Sequence, residues 1–77
     1  KALLKLRGSG REESSRSLLG MVLNHMGLVY VQLSDVQEAV KMFEESKSIL
    51  EAIYGPHHPE TLSVYSNLAG AYDALGR

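Results

Sequence analysis

The chain has 77 residues, of which 44% are hydrophobic and 22% charged, and its formal net charge is −1. This length allows at most one small domain, and the balanced charge gives no basic surface for nucleic acid. Cysteine is absent, which excludes disulfides and cysteine-based zinc sites. The apolar runs are far shorter than the roughly 20 residues of a membrane span. We therefore expect a cytoplasmic protein without membrane insertion.

The N-terminal segment combines several leucines with a following Gly8-Ser9-Gly10 triplet. We interpret residues 1–10 as the end of a preceding helix followed by a flexible break. At the other end, residues 74–77 stop where a turn between helices is expected. Both ends predict that the sequence is a section of a longer helical array.

A first complete helix is predicted over about residues 12–33. Apolar residues at helical spacing form one stripe that we expect to face the core: Leu18, Val22, Met26, Val29 and Leu33. Met21, Leu28 and Val31 lie on a flank that this stripe does not include. They could contact neighbouring helices or line a binding groove, and both alternatives stay open.

A second helix is predicted over about residues 36–54. Ser34 and Asp35 are each followed three residues later by Gln or Glu, so either can form a capping box. Gly55 and Pro56 predict the end of this helix. Its apolar stripe consists of Val36, Ala39, Val40, Phe43, Leu50, Ile53 and Tyr54.

A third helix is predicted from Pro59, with Glu60 near its positive end. Its apolar stripe consists of Leu62, Tyr65, Leu68, Ala69, Tyr72 and Leu75. Because the connections are short, consecutive helices must fold back antiparallel. The predicted class is therefore all-α, built from helical hairpins.

An offset of 42 residues aligns the first helix with the third. Leu23, Met26, Gly27 and Tyr30 then match Tyr65, Leu68, Ala69 and Tyr72, which repeats a large, large, small, aromatic pattern. A small residue lets a neighbouring helix approach closely, and the larger residues fill the space around the contact. Ala39 and Phe43 supply the matching pair on the second helix. We predict that these residues carry the packing between repeats.

This pattern resembles the tetratricopeptide repeat, W-x-x-L-G-x-x-Y followed by A-x-x-x-F and P. The repeat unit here has 42 residues, against about 34 in an ordinary tetratricopeptide repeat. This longer unit, its Gly55 to Glu60 turn and the Asn67-Leu68-Ala69 triplet resemble repeats of kinesin light chains, and plant kinesin light chain-related proteins in particular. Leu23 and Tyr65 replace the family tryptophan, and Glu51 replaces the terminal proline. The resemblance implies a right-handed solenoid. One full repeat would span residues 11–58, and residues 59–77 would be the first helix of the next.

The resemblance also implies a function without catalysis or cofactors. Such a chain would be a scaffold or adaptor associated with the microtubule cytoskeleton or kinesin-type cargo. Its partners would be proteins or extended peptides, cytoskeletal proteins among them, and flanking repeats of the same chain. The alternative is a structural spacer or oligomerising segment of a longer solenoid, with the partner site elsewhere.

In kinesin light chains, asparagines on successive first helices hydrogen-bond the backbone of cargo peptides. Asn24 and Asn67 match positions of that pattern, whereas His25 and Ser66 depart from it. We predict that the partner-binding groove consists of Asn24, Asn67, Met21, Leu28, Val31, Gly70 and Asp73.

The sequence contains no pattern typical of an active site or a metal site. Adjacent histidines such as His57 and His58 rarely direct both rings to one ion, and we expect His58 to shape the turn instead. A nucleophile elbow and a phosphate-binding loop are both missing. Ser14, Ser15 and Ser17 could be phosphorylated, although a polar, solvated start to the helix explains them equally well.

Overall fold

The computed structural model describes the backbone of residues 2–76 and the side chains of residues 12–76. Over these residues the chain forms three α-helices and no strand: α1 (Ala2–Gln32), α2 (Val36–Tyr54) and α3 (Pro59–Gly76). The predicted all-α class is confirmed. None of these helices, across the described residues, has the length and apolar character needed to cross a membrane.

Two expected interruptions are absent from the helices. The backbone of Gly8, Ser9 and Gly10 is helical, so α1 starts at Ala2 rather than near residue 12. Glycine in a helix interior costs only about 1 kcal/mol relative to alanine. Two glycines therefore do not interrupt a long helix. Helix α3 likewise continues through Gly76, where a turn was expected. Arg77, the last residue of that turn, lies outside the described residues, as does Lys1.

Helix α2 has a defined signal at each end. The Asp35 carboxylate accepts the backbone N–H of Glu38 at 3.3 Å, so Asp35 is the cap and Ser34 is not. Ser34 lies in the turn, with a φ of 66°. At the other end the N–H of Gly55 donates to the carbonyl of Glu51 at 2.9 Å. Gly55 has φ 84° and ψ 173°, a conformation that is essentially restricted to glycine.

Gly55→Ala should therefore lower the free energy of unfolding by about 1–3 kcal/mol through backbone strain. A Cβ at this position would meet no atom within 4 Å, so a steric clash does not contribute. Urea denaturation followed by circular dichroism measures the change. Ser34→Gly is the matched control, because it relieves a positive φ and should stabilise the chain. Equal stability of Gly55→Ala and the wild type would contradict the strain argument.

Helices α1 and α2 pack through glycines on α1. Gly20 and Gly27 lie opposite Leu50 and Phe43, which are completely buried. A Cβ at Gly27 would lie 2.3 Å from Phe43 Cε1, and one at Gly20 would lie 2.9 Å from Leu50 Cδ2. The buried Ser46 hydroxyl also donates to the Gly20 carbonyl at 2.6 Å. The backbone of α1 therefore forms one wall of the core.

Helix α3 completes the core with a face that is at most 5% exposed: Thr61, Val64, Leu68 and Ala71. The Thr61 hydroxyl donates to the carbonyl of Leu50 at 3.4 Å. At the edge of this contact, Tyr65 and Tyr72 donate to the carboxylates of Glu51 and Glu44. The hydrogen bond to Glu51, together with desolvation and the carboxylate charge, raises the pKa of Tyr65.

The stripe predicted to face the core on α1 instead faces away from it. Its members are 40% to 68% exposed: Leu18, Val22, Met26, Val29 and Leu33. Among the α1 side chains that the structure describes, residues 12–32, the buried positions are Ser17, Gly20, Leu23, Asn24 and Gly27. The prediction was wrong because hydrophobic periodicity does not register glycine, serine and asparagine, which form most of the face that α2 and α3 cover.

The stripe predicted on α3 is also rotated away from the core. Leu68 is buried and Tyr65 is half-buried, but the other members are exposed: Leu62, Ala69, Tyr72 and Leu75. On α2 the predicted stripe is correct, since Ala39, Phe43 and Leu50 are fully buried and its other members are half-buried. Helix α2 packs against both other helices, so its predicted stripe is covered within the chain.

Candidate partner-binding cleft

A cleft of about 270 Å³ opens between α1 and α3. Its lining consists of Leu28 and Val31 from α1, Val36 and Phe43 from α2, and Ser66, Asn67, Gly70, Ala71 and Ala74 from α3. We call it the α1–α3 cleft. It lies toward the end of the molecule where α1 meets α2.

The two walls of the α1–α3 cleft differ in size and chemistry. Leu28 and Val31 are each 39% exposed and present aliphatic side chains on the α1 wall. On the α3 wall, every fourth residue is small: Ser66, Gly70 and Ala74. A Cβ added at Gly70 would meet no atom within 4 Å. The cleft therefore has room above Gly70 for a side chain of a ligand.

A polar network connects α1 to α3 beside this cleft. The Asn67 amide donates to Asn24 Oδ1 at 2.8 Å, and the Asn24 amide donates to the Ser63 hydroxyl at 3.3 Å. Asn24 is 5% exposed. A buried amide is stable only when its donors and acceptors are satisfied. Asn24 therefore connects the two helices, which disagrees with the prediction that it contacts a partner directly.

Asn67 is the member of this network that lines the α1–α3 cleft. Its amide nitrogen is committed to Asn24, while its carbonyl oxygen takes no part in the hydrogen bonds among side chains 12–76. That oxygen can accept an N–H from a peptide backbone. Asn24 holds the Asn67 side chain in place for such a contact.

The structure brings together four of the seven predicted groove residues, namely Asn67, Leu28, Val31 and Gly70. The other three lie elsewhere: Asn24 is buried, Met21 packs against the core, and Asp73 is exposed on α3. Sequence reasoning missed the other five as lining residues, namely Val36, Phe43, Ser66, Ala71 and Ala74. The spacing of four between small residues on α3 was a signal that could have identified two of them.

The residues predicted to pack between repeats divide into three sets. Five are buried in the described core: Leu23, Gly27, Ala39, Phe43 and Leu68. Tyr30 and Tyr65 are half-buried, and Met26, Ala69 and Tyr72 are exposed. The exposed members lie outside the core that these three helices form, so their role in packing between repeats stays a prediction.

The turn before α3 joins three aromatic or polar side chains. The Ser17 and Tyr54 hydroxyls are 2.5 Å apart, and the Tyr54 ring stacks on His58 with centroids 4.1 Å apart. His58 Nδ1 accepts the backbone N–H of Glu60 at 3.1 Å. His58 therefore shapes the turn, as expected. Among side chains 12–76, no group of three or more His, Asp or Glu residues could hold a metal ion.

Comparison with known proteins shows which protein family the chain is similar to. The tetratricopeptide repeat family matches residues 6–77. The chain is 57% and 55% identical over 76 residues to the Arabidopsis thaliana proteins kinesin light chain-related 3 and kinesin light chain-related 2. It is also 37% identical over 60 residues to the human mitochondrial tetratricopeptide repeat protein 19.

These matches cover most of the chain but little of each relative. They cover 99% of the chain for the two Arabidopsis proteins and 78% for the human protein. The aligned region is only 11% of each Arabidopsis protein and 16% of the human one. No solved structure gives a significant match. With a helical hairpin, a following helix and a family match over residues 6–77, the chain belongs to the tetratricopeptide repeat family.

Proposed function

We propose that the chain is a non-catalytic protein-interaction module whose α1–α3 cleft holds an extended peptide of a partner protein. The observation that carries this proposal is the asymmetry of the cleft, in which an aliphatic wall faces a wall of small residues. Extended concave surfaces are what helical repeat proteins use for binding. Leu28 and Val31 would contact an apolar side chain of the peptide, and Asn67 would accept a backbone N–H.

We further propose that the parent protein acts as a cytoplasmic scaffold or adaptor with cytoskeletal partners. The support is the similarity to two proteins named kinesin light chain-related. Because a similar human protein is named mitochondrial, this part of the proposal depends on a separate test. Cosedimentation of the 77-residue chain with polymerised tubulin, at rising tubulin concentration, provides it. Absence of the chain from the pellet would contradict direct microtubule association by this segment.

The cleft itself is tested with peptides selected from a random decapeptide phage library on the wild-type chain. Gly70→Leu places a bulky side chain in the cleft at a position where an added Cβ meets no atom within 4 Å, so we expect at least a tenfold loss of affinity. Gly70→Ala is the matched control, since one methyl group leaves most of the cleft open. Asn67→Ala should weaken binding about 2- to 12-fold, the effect of one hydrogen bond of 0.5–1.5 kcal/mol.

Two outcomes would reject the cleft as a binding site. One is that no peptide is selected, which would favour the structural spacer. The other is that the selected peptides bind Gly70→Leu and wild type equally, which would place the site elsewhere on the chain. Circular dichroism of each variant confirms that the helices are retained.

A further inference from the structure

The start of α3 is held by a histidine cap. The His58 carbonyl accepts the backbone N–H of Leu62 at 2.9 Å, and His58 Nδ1 accepts the backbone N–H of Glu60 at 3.1 Å. These two hydrogen bonds are those of an N-cap residue, a position where serine, threonine, aspartate and asparagine are strongly preferred. Pro59 occupies the first helical position, where no N–H is required. His58 is therefore the cap of α3, as Asp35 is the cap of α2.

A histidine cap differs chemically from an aspartate cap. Neutral imidazole has one nitrogen that accepts a hydrogen bond, whereas both nitrogens of the protonated ring are donors. On protonation the Nδ1–H of His58 would therefore point at the N–H of Glu60, and no rotation of the ring restores an acceptor. The added charge would also lie at the positive end of the α3 dipole. The cap works only while the ring is neutral.

His25 shows the opposite case within the same chain. Its Nδ1 lies 3.0 Å from the carbonyl oxygen of Met21. A carbonyl oxygen only accepts, so His25 donates in this hydrogen bond and keeps it in either protonation state. Acidification therefore removes the hydrogen bond of the His58 ring and leaves that of the His25 ring intact.

The titratable groups around the turn do not compensate for the lost cap. On the elements that meet here they are Glu13 on α1, Glu51 and Tyr54 on α2, His57 in the turn and Glu60 on α3. Glu51 is engaged by Tyr65, while Glu13 and Glu60 are at least partly exposed, so water screens their attraction for a charged ring. Tyr54 stacks on His58 with centroids 4.1 Å apart. That stack tolerates a cation, but the backbone hydrogen bond does not.

We infer that His58 is a pH-sensitive cap, which fixes the start of α3 while its ring is neutral and releases it when the ring takes up a proton. Histidine side chains ordinarily change charge between about pH 5 and 8. The unfolded chain has no cap to lose, so it binds this proton more readily than the folded chain. The free energy of unfolding therefore falls as the pH falls through that range.

The turn that would loosen connects all three helices. Tyr54 stacks on His58, and its hydroxyl lies 2.5 Å from the hydroxyl of Ser17 on α1. Loss of the cap would therefore free the end of α3 that is attached to both other helices. The inference concerns this turn and does not depend on peptide binding in the α1–α3 cleft.

Urea denaturation of the complete 77-residue chain at pH 7.5 and pH 5.5 tests the inference. We expect the unfolding equilibrium constant of the wild type to rise about 2- to 30-fold on acidification, the range for loss of one N-cap. His58→Asn keeps a capping side chain that does not titrate, so most of this rise should disappear. His57→Asn is the matched control, since it removes the neighbouring histidine, leaves the cap in place and should retain the rise. Only the change with pH is compared, because His58→Asn also removes the stack on Tyr54.

Nuclear magnetic resonance of the wild type provides a measurement that needs no variant. At pH 7.5 the nitrogen chemical shifts of the His58 ring should place its proton on Nε2. On acidification the amide proton of Glu60 should shift upfield with the same midpoint as the His58 ring protons, because its hydrogen bond is lost. The Glu38 amide, which Asp35 caps, should not follow that midpoint.

Four results would overturn the inference. His58→Asn could keep the full pH dependence of the wild type, or His57→Asn could remove it instead. The ring proton of His58 could lie on Nδ1 at pH 7.5, which excludes the cap hydrogen bond. The Glu60 amide could stay unchanged while the His58 ring takes up its proton.

Discussion

Phe43→Ala should unfold the chain at room temperature. The Phe43 ring is completely buried between α1 and α2 and contacts the bare backbone at Gly27. Replacing a buried phenylalanine by alanine typically costs 3–5 kcal/mol, because transfer free energy is lost and a cavity remains. A core of this size supplies about 3–5 kcal/mol in total. Circular dichroism at 222 nm and the urea midpoint measure the loss.

Leu33→Ala is the matched control for this substitution. Leu33 is 68% exposed, so its truncation should change the free energy of unfolding by less than about 0.5 kcal/mol. If Phe43→Ala and Leu33→Ala had similar urea midpoints, Phe43 would not be the centre of the core.

Gly27→Ala should destabilise the chain by about 1–3 kcal/mol, although alanine is the better helix former. The added Cβ would lie 2.3 Å from Phe43 Cε1, so α1 and α2 must move apart or the ring must leave its rotamer. Gly70→Ala is a matched control in a helix of the same chain. Its Cβ meets no atom within 4 Å, and the substitution should stabilise α3 by about 1 kcal/mol.

The effects of Phe43→Ala and Gly27→Ala on the free energy of unfolding should also be coupled. In a Phe43→Ala background the ring that Gly27→Ala would displace is gone, so the added methyl group should be neutral or stabilising. Hydrogen exchange in a stabilising osmolyte allows this comparison if the single variants are largely unfolded. An equal cost of Gly27→Ala in both backgrounds would show that the glycine is needed for a reason other than the Phe43 ring.

The two ends of α2 and the start of α3 could be predicted from local sequence signals. Asp35, Gly55 and Pro59 mark ends that depend only on neighbouring backbone, and the structure places helix ends there. The side of α1 that is buried could not be predicted in this way. That helix has an apolar face and a small-residue face, and only contact with α2 decides which one is covered. Gly20 and Gly27 gave no hydrophobic signal, although they pack against Leu50 and Phe43. Only the repeat comparison pointed to Gly27 as a position of close packing.

The residues that line the α1–α3 cleft could be predicted only in part. Leu28 and Val31 stood out because they did not fit the apolar stripe, and the structure places both in the α1–α3 cleft. Asn24 was misassigned because its burial follows from the approach of α3, which brings Ser63 and Asn67 beside it. A residue pattern on one helix contains no information about how closely another helix approaches it.

Side-chain contacts connect the start of α3 to both other helices. Ser17, Tyr54 and His58 link α1 and α2 to the start of α3, whereas the far end of α3 borders the open cleft. A small rotation of α3 about the Tyr54–His58 stack therefore produces its largest displacement at Ala74 and almost none at Pro59. If the cleft binds peptides as proposed, such a rotation would adjust its width to side chains of different size.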